Sequence, residues 1–170
     1  MATRGEQISQ GAAANKAGKA YEKLLRPVFE EYGYTIETYS KWKKAKRKYA
    51  ETTKLALKNV PFPSIYNHTG RTEWLLVDKD RGTEVRVEVK TQRKSGSVDE
   101  KFPYMYLTAA ICYPEDDVIL LVEGNGFKKG ARPWLQKAID ERWMLPEDSK
   151  KNITMMSLSE FIDWFIAENS

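Results

Sequence analysis

Apolar residues first recur at helical spacing and then at every second position, which predicts a fold of mixed helices and strands. Between residues 15 and 32 they fall three and four positions apart, which indicates a helix that ends at Gly33. Pro27 lies inside this run and is expected to bend or split the helix. The β-rich segment Tyr34–Tyr39 follows and predicts a first strand.

A β-hairpin is predicted in the middle of the chain. Apolar and polar residues alternate in Glu73–Val77 and in Glu84–Lys90, as in strands with one buried face. The segment between them, Asp78–Thr83, contains the Asp and Gly residues that are typical of a tight turn. The two strands are therefore expected to pair in antiparallel fashion.

The second half of the chain continues to alternate between helix and strand. Ser157 and Glu160 have the spacing of a capping box, which places the start of the last helix. The predicted elements are a helix over 99–112 bent near Pro103, a strand over 118–122, a helix after the glycine-rich loop 124–130, a strand over 153–156 and a helix over 158–167. This order predicts an α/β fold, with a central mixed β-sheet flanked by α-helices.

The length and charge of the chain indicate an N-terminal arm, one domain and a basic segment within that domain. A length of 170 residues with 12% aromatic residues suits one domain over 15–170, after a polar arm at 1–14 that is expected to be flexible. The net charge is +4, but residues 41–58 alone carry +7, so the remainder is slightly acidic. We interpret residues 40–60 as a basic insert before the hairpin. A localised basic segment is typical of a nucleic-acid contact, although a solvated helix face would look the same.

Several classes of site and location are disfavoured by composition. The single Cys112 cannot form an intrachain disulfide or a cysteine zinc site, and the single His68 excludes sites that need two histidines. No apolar stretch is long enough to span a bilayer, and the first residues lack the apolar core of a signal peptide. We therefore expect a protein of a reducing cytoplasm with no membrane partner.

The hairpin is expected to bring two carboxylates together. One apolar face requires Trp74 and Leu76 to lie with the valines of the second strand, which pairs 74 with 87 and 76 with 85. This register places Glu73 opposite Glu88. Like charges at opposite positions destabilise a sheet, whereas a divalent cation such as Mg²⁺ prefers such an oxygen cluster. A salt-bridged, half-exposed strand face is the alternative interpretation.

These residues resemble the signature of the PD-(D/E)xK nucleases, also called restriction-endonuclease-like proteins. That signature is an acid on one strand, then Asp or Glu, any residue, and Lys on the next strand, after a helix that carries a Glu. Here Glu73 precedes Glu88-Val89-Lys90 by a gap of fourteen residues, and Glu22 lies on the first helix. Thr72-Glu73 stands where the family usually has Pro-Asp, so Asp78 is a lower-ranked alternative acid. The resemblance covers roughly 15–140, and its segments 70–73, 88–92 and 95–104 are similar to a microbial and phage branch.

The resemblance implies a restriction-endonuclease-like core and a Mg²⁺-dependent DNA endonuclease, with Mn²⁺ as a substitute ion, in a bacterial or phage-infected cell. Glu73, Glu88 and the Val89 carbonyl would hold the metal, and Lys90 would orient an attacking water or help to deprotonate it. Glu22 and Gln92 would support these groups. The residues expected to contact the DNA backbone are Lys41, Lys43, Lys44, Lys46, Arg47, Lys48, Arg71, Lys128 and Lys129.

Two rival functions remain open on the sequence. One is a DNA-binding module that keeps the nuclease fold without catalysis, and the other is an interaction protein, such as a phage-encoded inhibitor, that uses the basic segment against an acidic protein. A symmetric homodimer would suit double-strand cleavage, but no segment of the sequence indicates an interface.

Overall fold

The computed structural model describes residues 20–170, and within them six strands form one mixed sheet in the order β1-β2-β3-β4-β5-β6. The predicted flexible arm at 1–14 lies outside the described residues. The strands are β1 Thr35–Thr38, β2 Lys54–Pro63, β3 Thr69–Asp78, β4 Thr83–Thr91, β5 Asp117–Glu123 and β6 Asn152–Met156. The strands β2, β3 and β4 are antiparallel to their neighbours within this group, while the pairs β1–β2, β4–β5 and β5–β6 are parallel.

Helices cover both faces of the sheet, so the predicted α/β class with flanking helices is confirmed. In the described residues the helices are α1 over 20–31, α2 Tyr39–Lys44, α3 Phe102–Ile111, α4 Ala131–Asp140 and α5 Leu158–Asn169, with short 3-10 turns at Lys46–Tyr49 and Asp99–Lys101. No helix within 20–170 is long and apolar enough to cross a membrane.

The first face of the sheet packs against α1 and α5. Phe29 of α1 is fully buried, and its ring meets the Trp74 ring edge-on at 5.1 Å and the Phe165 ring of α5 at 5.0 Å. Val87 and Val89 of β4, which were predicted to lie on the apolar face of the hairpin, belong to the same cluster. Burial of these side chains contributes the main stabilisation of this layer.

The second face is divided between two clusters. Over β2 and β3, Tyr49 from the 3-10 turn after α2 packs on Leu55, Leu57 and Leu75. Over β5, the helices α3 and α4 contribute Phe102, Met105, Tyr106, Leu135 and Ala138, which pack with Val118, Leu120 and Val122. Of the polar side chains of β4, Arg86 and Glu88 are buried on this face, whereas Glu84 near the hairpin turn is exposed.

The hairpin has the predicted register. Trp74 pairs with Val87 and Leu76 pairs with Val85, as the alternation of apolar residues required. The capping box at the start of α5 is present as well, since Ser157 accepts a hydrogen bond from the Glu160 N–H and the Glu160 carboxylate accepts one from the Ser157 N–H. Glu123 strengthens this start, because its carboxylate accepts a 2.9 Å hydrogen bond from the Leu158 N–H.

The segment predicted as a basic insert at 40–60 is in part a strand of the sheet. Residues 54–60 belong to β2, which pairs with β1 on one side and with β3 on the other. Lysines at 54 and 58 obscured the strand in the sequence, and Pro61 and Pro63 are residues that usually end a helix. The prolines instead lie at the end of β2, beyond its last β1 pair at Lys58, where a missing N–H is tolerated.

Two prolines in helices also behave differently from expectation. The helix α1 continues through Pro27 without a break from residue 20 to residue 31, and it ends before Gly33, whose φ of 80° suits the predicted end. Pro103 lies in the first turn of α3 rather than at a bend. A proline in the first turn leaves no helical hydrogen bond unmade, so the helix starts there without strain.

Candidate active site

Glu73 and Glu88 lie where the pairing of β3 and β4 ends. The last pair at this end is Trp74 with Val87, and the two glutamates come one residue beyond it. Instead of a backbone pair, the Glu73 carboxylate fills the gap: its Oε2 accepts a 2.8 Å hydrogen bond from the Val89 N–H. The N–H of a strand residue lies in the plane of the sheet and points toward a neighbouring strand. The Glu73 carboxylate that accepts from it therefore lies between the two strands rather than on either face.

The backbone around Glu73 explains this position. Thr72 and Trp74, which would share a face in a regular strand, contact opposite faces: Thr72 accepts a hydrogen bond from Arg86, while Trp74 packs on Phe29. On the neighbouring strand, Asn59 has a φ of 54° within the same stretch. The regular alternation is therefore interrupted at Glu73, and its side chain is directed toward the end of β4.

Lys90 forms the cationic part of the group. Its ammonium donates a hydrogen bond to Glu88 Oε1 and lies 3.4 Å from the Val89 carbonyl oxygen. Burial lowers the pKa of Lys90, but the charges of Glu88 and Glu73 outweigh it and raise the pKa above its usual value. Lys90 is therefore an ammonium at neutral pH in the metal-free protein.

The two carboxylates are not fully neutralised by this one lysine. Burial, followed by the charge of Glu88, raises the pKa of Glu73 to about 7. Two acids and one ammonium leave an excess negative charge when both carboxylates ionise. The arrangement is thus electrostatically costly without a further cation.

The donor set suits a divalent cation. The Lys90 ammonium is itself a cation held by Glu88 Oε1 and the Val89 carbonyl, so these two oxygens already converge on one positive charge. Carboxylate and carbonyl oxygens are the ligands that Mg²⁺ and similar ions prefer, with water and substrate phosphate completing the shell. Within residues 20–170 there is no cluster of three or more His, Cys, Asp or Glu side chains placed to hold a metal. Any ion here would therefore rest on two side chains and a carbonyl.

A buried polar group behind Glu88 was missed in the sequence. The guanidinium of Arg86, 2% exposed, makes a two-pronged ion pair with Glu115 at 2.5 and 2.8 Å and stacks over the Tyr113 ring at 4.9 Å. The Tyr113 hydroxyl in turn donates a 3.4 Å hydrogen bond to Glu88 Oε2. Only Arg86 and its alternation with valines were visible in the sequence, where a salt-bridged, half-exposed strand face was the alternative interpretation. Glu115 and Tyr113 follow α3, so their approach depends on the packing of that helix.

Two supporting residues have other partners. The Glu22 carboxylate pairs with Lys58 at 2.5 Å and with Arg26 at 3.8 Å, rather than with Lys90. Gln92 was expected to act as an accessory polar residue beside Lys90. Its buried side chain instead donates to the Gly126 carbonyl at 2.6 Å and accepts from the Val98 N–H at 2.7 Å. Gln92 therefore holds two loops together.

The glycine-rich loop is shaped by its approach to this glutamine. A Cβ at Gly124 would come within 2.4 Å of the Gln92 carbonyl oxygen, and a Cβ at Gly126 within 2.3 Å of the Lys94 carbonyl oxygen. Glycine is required at both positions because the backbones touch. The loop that follows β5 is thus fixed against the loop that follows β4 and Lys90.

The predicted DNA-contact residues are at the surface but in separate places. The basic segment runs over the second face of the sheet. It begins after β1, whose last residue pairs with Lys58, and it returns toward the turn of the hairpin, where the Lys79 ammonium donates to the Tyr49 carbonyl. Lys128 is paired with Glu100 at 3.1 Å and close to Asp99. All nine predicted residues are exposed, namely Lys41, Lys43, Lys44, Lys46, Arg47, Lys48, Arg71, Lys128 and Lys129.

Comparison with known proteins identifies the family. The profile of the PD-(D/E)XK nuclease superfamily domain matches residues 13–168. No curated protein and no solved structure matches the chain at a significant level. This match agrees with the mixed sheet flanked by helices, with the acid at the point where the pairing of β3 with β4 ends, and with Glu-Val-Lys on β4. The chain therefore belongs to the PD-(D/E)XK nuclease superfamily.

Proposed function

We propose that this protein is a metal-dependent DNA endonuclease that hydrolyses phosphodiester bonds, with Mg²⁺ as its ion and Mn²⁺ as a substitute. The observation that carries the proposal is the convergence of Glu73, Glu88, the Val89 carbonyl and Lys90 at the end of one hairpin. A purely structural salt-bridged strand has no need for a second carboxylate whose pKa is raised, first by burial and then by the charge of its neighbour.

Each residue has a distinct role in this proposal. A bound divalent cation supplies an activated water and neutralises charge on the phosphoryl group. Glu73 and Glu88 would hold the ion, with Glu73 fixed by the Val89 N–H and Glu88 by the Tyr113 hydroxyl. Lys90, an ammonium in the metal-free protein, would donate hydrogen bonds to the water or to a phosphate oxygen and stabilise developing negative charge. A donor role of this kind orients the water rather than deprotonating it.

DNA is the proposed substrate because of the charge distribution. Six exposed basic residues lie between 41 and 48, against a remainder of the chain that is slightly acidic. Two of them lie over aromatic rings, Lys46 over Trp42 at 4.9 Å and Lys48 over Tyr49 at 5.5 Å, which restrains them at the surface. Restrained cations bind phosphates with a smaller loss of side-chain entropy.

The direct test is cleavage of supercoiled plasmid, linear duplex and single-stranded DNA by the wild-type chain with Mg²⁺, Mn²⁺, Ca²⁺ or a chelator. We expect nicked or linear products with Mg²⁺ and Mn²⁺ and none with the chelator, because two carboxylates and a carbonyl need the ion to activate water. DNA binding without cleavage under every metal would contradict the proposal and support a non-catalytic DNA-binding module.

Glu73→Gln is expected to stabilise the metal-free protein while removing its response to Mg²⁺. A glutamine keeps an acceptor for the Val89 N–H but removes one of the two like charges. Because the pKa of Glu73 is raised in the folded state, its contribution to stability falls as pH rises from its unfolded value through about 7. The variant should therefore exceed wild type by an amount that grows toward pH 8, on the order of 1–3 kcal/mol.

The measurement for Glu73→Gln is thermal unfolding from pH 5 to pH 8, with and without Mg²⁺. Wild type should gain stability from Mg²⁺ by linkage, and the variant should not. Glu84→Gln, an exposed glutamate on the same hairpin, serves as the control and should behave like wild type. A Glu73→Gln protein that is less stable than wild type at pH 8 without metal would contradict the carboxylate pairing.

A further inference from the structure

An exposed aromatic stack borders the candidate active site. Tyr66, in the loop between β2 and β3, is 73% exposed, and its ring stacks on that of Tyr104 with centroids 5.5 Å apart and an interplanar angle of 19°. Tyr104 lies near the start of α3 and is half-buried. With one ring face resting on Tyr104, the exposure of Tyr66 belongs to its other face and its edges.

The loop that carries Tyr66 is held in place by buried Ser64. The Ser64 hydroxyl accepts hydrogen bonds from the N–H groups of Tyr66 and His68, both at 3.3 Å, and also pairs with the His68 ring. The Ser64 carbonyl accepts from the Asn67 N–H at 2.9 Å. The tyrosine is thus presented on an ordered turn, which lowers the entropy that binding would cost.

The stack is linked to the candidate active site through the packing of β2. Phe62, four residues before Tyr66, meets the Tyr113 ring edge-on at 4.8 Å, and the Tyr113 hydroxyl donates to Glu88 Oε2. The loop of Tyr66 joins β2 to β3 at the same end of the sheet as Glu73. The pair next to the loop is Pro63 with Thr69, and the pair Val60 with Thr72 lies directly before Glu73. A chain bound at Lys90 can therefore extend onto the stack.

The charge around the stack suits a nucleic-acid strand. Exposed basic side chains occur just before Glu73, in the loop after β4, and just before α3, and these are Arg71, Arg93, Lys94 and Lys101. The exposed acid beside them, Glu100, is paired with Lys128 at 3.1 Å. An aromatic face among basic residues is the composition of single-strand binding surfaces, where bases stack on rings while cations meet phosphates. In an intact duplex the base faces are covered by neighbouring bases, so an aromatic ring can reach one only at an end or in an unpaired segment.

We propose that Tyr66, supported by Tyr104, stacks on an unpaired base beside the scissile phosphate, so that the substrate is DNA with a single-stranded segment such as an end, flap or gap. This inference rests on the proposed function for the identity of the polymer. It adds that the site selects strand structure through an aromatic contact.

The test measures binding rather than cleavage, with Ca²⁺ in place of Mg²⁺. Wild type, Tyr66→Ala and Tyr66→Trp are titrated with a fluorescent single-stranded oligonucleotide and with a relaxed, covalently closed circular duplex, which has neither strand ends nor an unpaired segment. We expect Tyr66→Ala to weaken single-strand binding by about 5- to 140-fold, the range that base–aromatic stacking supplies, and duplex binding by less than about twofold. Tyr66→Trp should bind single strands at least as tightly as wild type.

Ile111→Ala is the matched control. Ile111 is 57% exposed and lies at the opposite end of α3 from Tyr104, so its substitution should leave both affinities unchanged. An oligonucleotide with 2-aminopurine gives a direct signal, since stacking on Tyr66 should change its fluorescence in wild type and not in Tyr66→Ala. Equal losses on single strands and on the closed circular duplex, or no loss on either, would overturn the inference. Cleavage with Mg²⁺ is scored separately: cleavage without Tyr66-dependent binding refutes only the stack, and Tyr66-dependent binding without cleavage refutes only the nuclease.

Discussion

Lys90→Met is expected to abolish DNA cleavage while leaving the response to Mg²⁺ intact. Methionine keeps most of the length of the side chain but removes the ammonium that contacts Glu88 and the Val89 carbonyl. Loss of a positioned donor at the reacting phosphate should lower the cleavage rate by at least about 10²-fold. The two carboxylates remain, and without the competing ammonium they should bind Mg²⁺ at least as tightly as in wild type.

Two measurements follow for this variant: the rate of plasmid cleavage, and the increase in melting temperature on addition of Mg²⁺. Lys54→Met is a closely matched control, because Lys54 has a side-chain exposure of 25% against 24% for Lys90 and lies 3.8 Å from buried Asp78. It lies at the opposite end of the hairpin, since Lys54 pairs with Asp78. Lys54→Met should cleave within about twofold of wild type. Full cleavage by Lys90→Met would remove Lys90 from the mechanism.

Arg86→Met is expected to cause the largest loss of stability among the substitutions considered. The change leaves the buried Glu115 carboxylate without its two-pronged partner and removes the cation from the Tyr113 ring. Breaking a buried ion pair by removing one partner costs about 3–5 kcal/mol, which for a domain of this size lowers the melting temperature by about 6–20 °C. Thermal or urea unfolding measures this loss directly.

A double substitution shows whether the loss comes from the ion pair. In Arg86→Met with Glu115→Leu neither member of the ion pair is left without its partner, so the double variant should recover much of the stability lost by Arg86→Met. Thr72→Val tests the lesser contact, since it removes only the 3.0 Å acceptor for the guanidinium. If the double variant is as unstable as the sum of its single variants, then Arg86 and Glu115 do not stabilise each other.

Local patterns predicted the parts of the fold that depend on neighbouring residues. Alternation of apolar residues specified the pairing of Trp74 with Val87, because any shift by one residue would expose the apolar face. The start of α5 followed from the spacing of Ser157 and Glu160. These features are determined within one or two elements, so the sequence carries their full signal.

Features that depend on distant contacts could not be predicted. Arg86 is buried only because helices α3 and α4 and the segment near Tyr49 cover the second face of the sheet. The strand β2 was hidden by its lysines, of which Lys58 pairs with Glu22 of α1 and Lys54 hydrogen-bonds to Asn169 of α5. In both cases a charged residue is paired by a group that is remote in sequence. Glu73 and Glu88 were predicted as neighbours, but the insertion of the Glu73 carboxylate between the strands was not.

The two prolines of β2 bear on how this protein can assemble. Because β1 pairs with β2 only as far as Lys58, the remaining length of β2 has one edge without a partner strand among residues 20–170. An unpaired edge invites a strand from another molecule, but Pro61 and Pro63 have no N–H to offer to it. Continuous sheet extension from one molecule to the next is therefore blocked along this edge. A dimer suited to double-strand cleavage would have to use helices or loops rather than a shared sheet at β2.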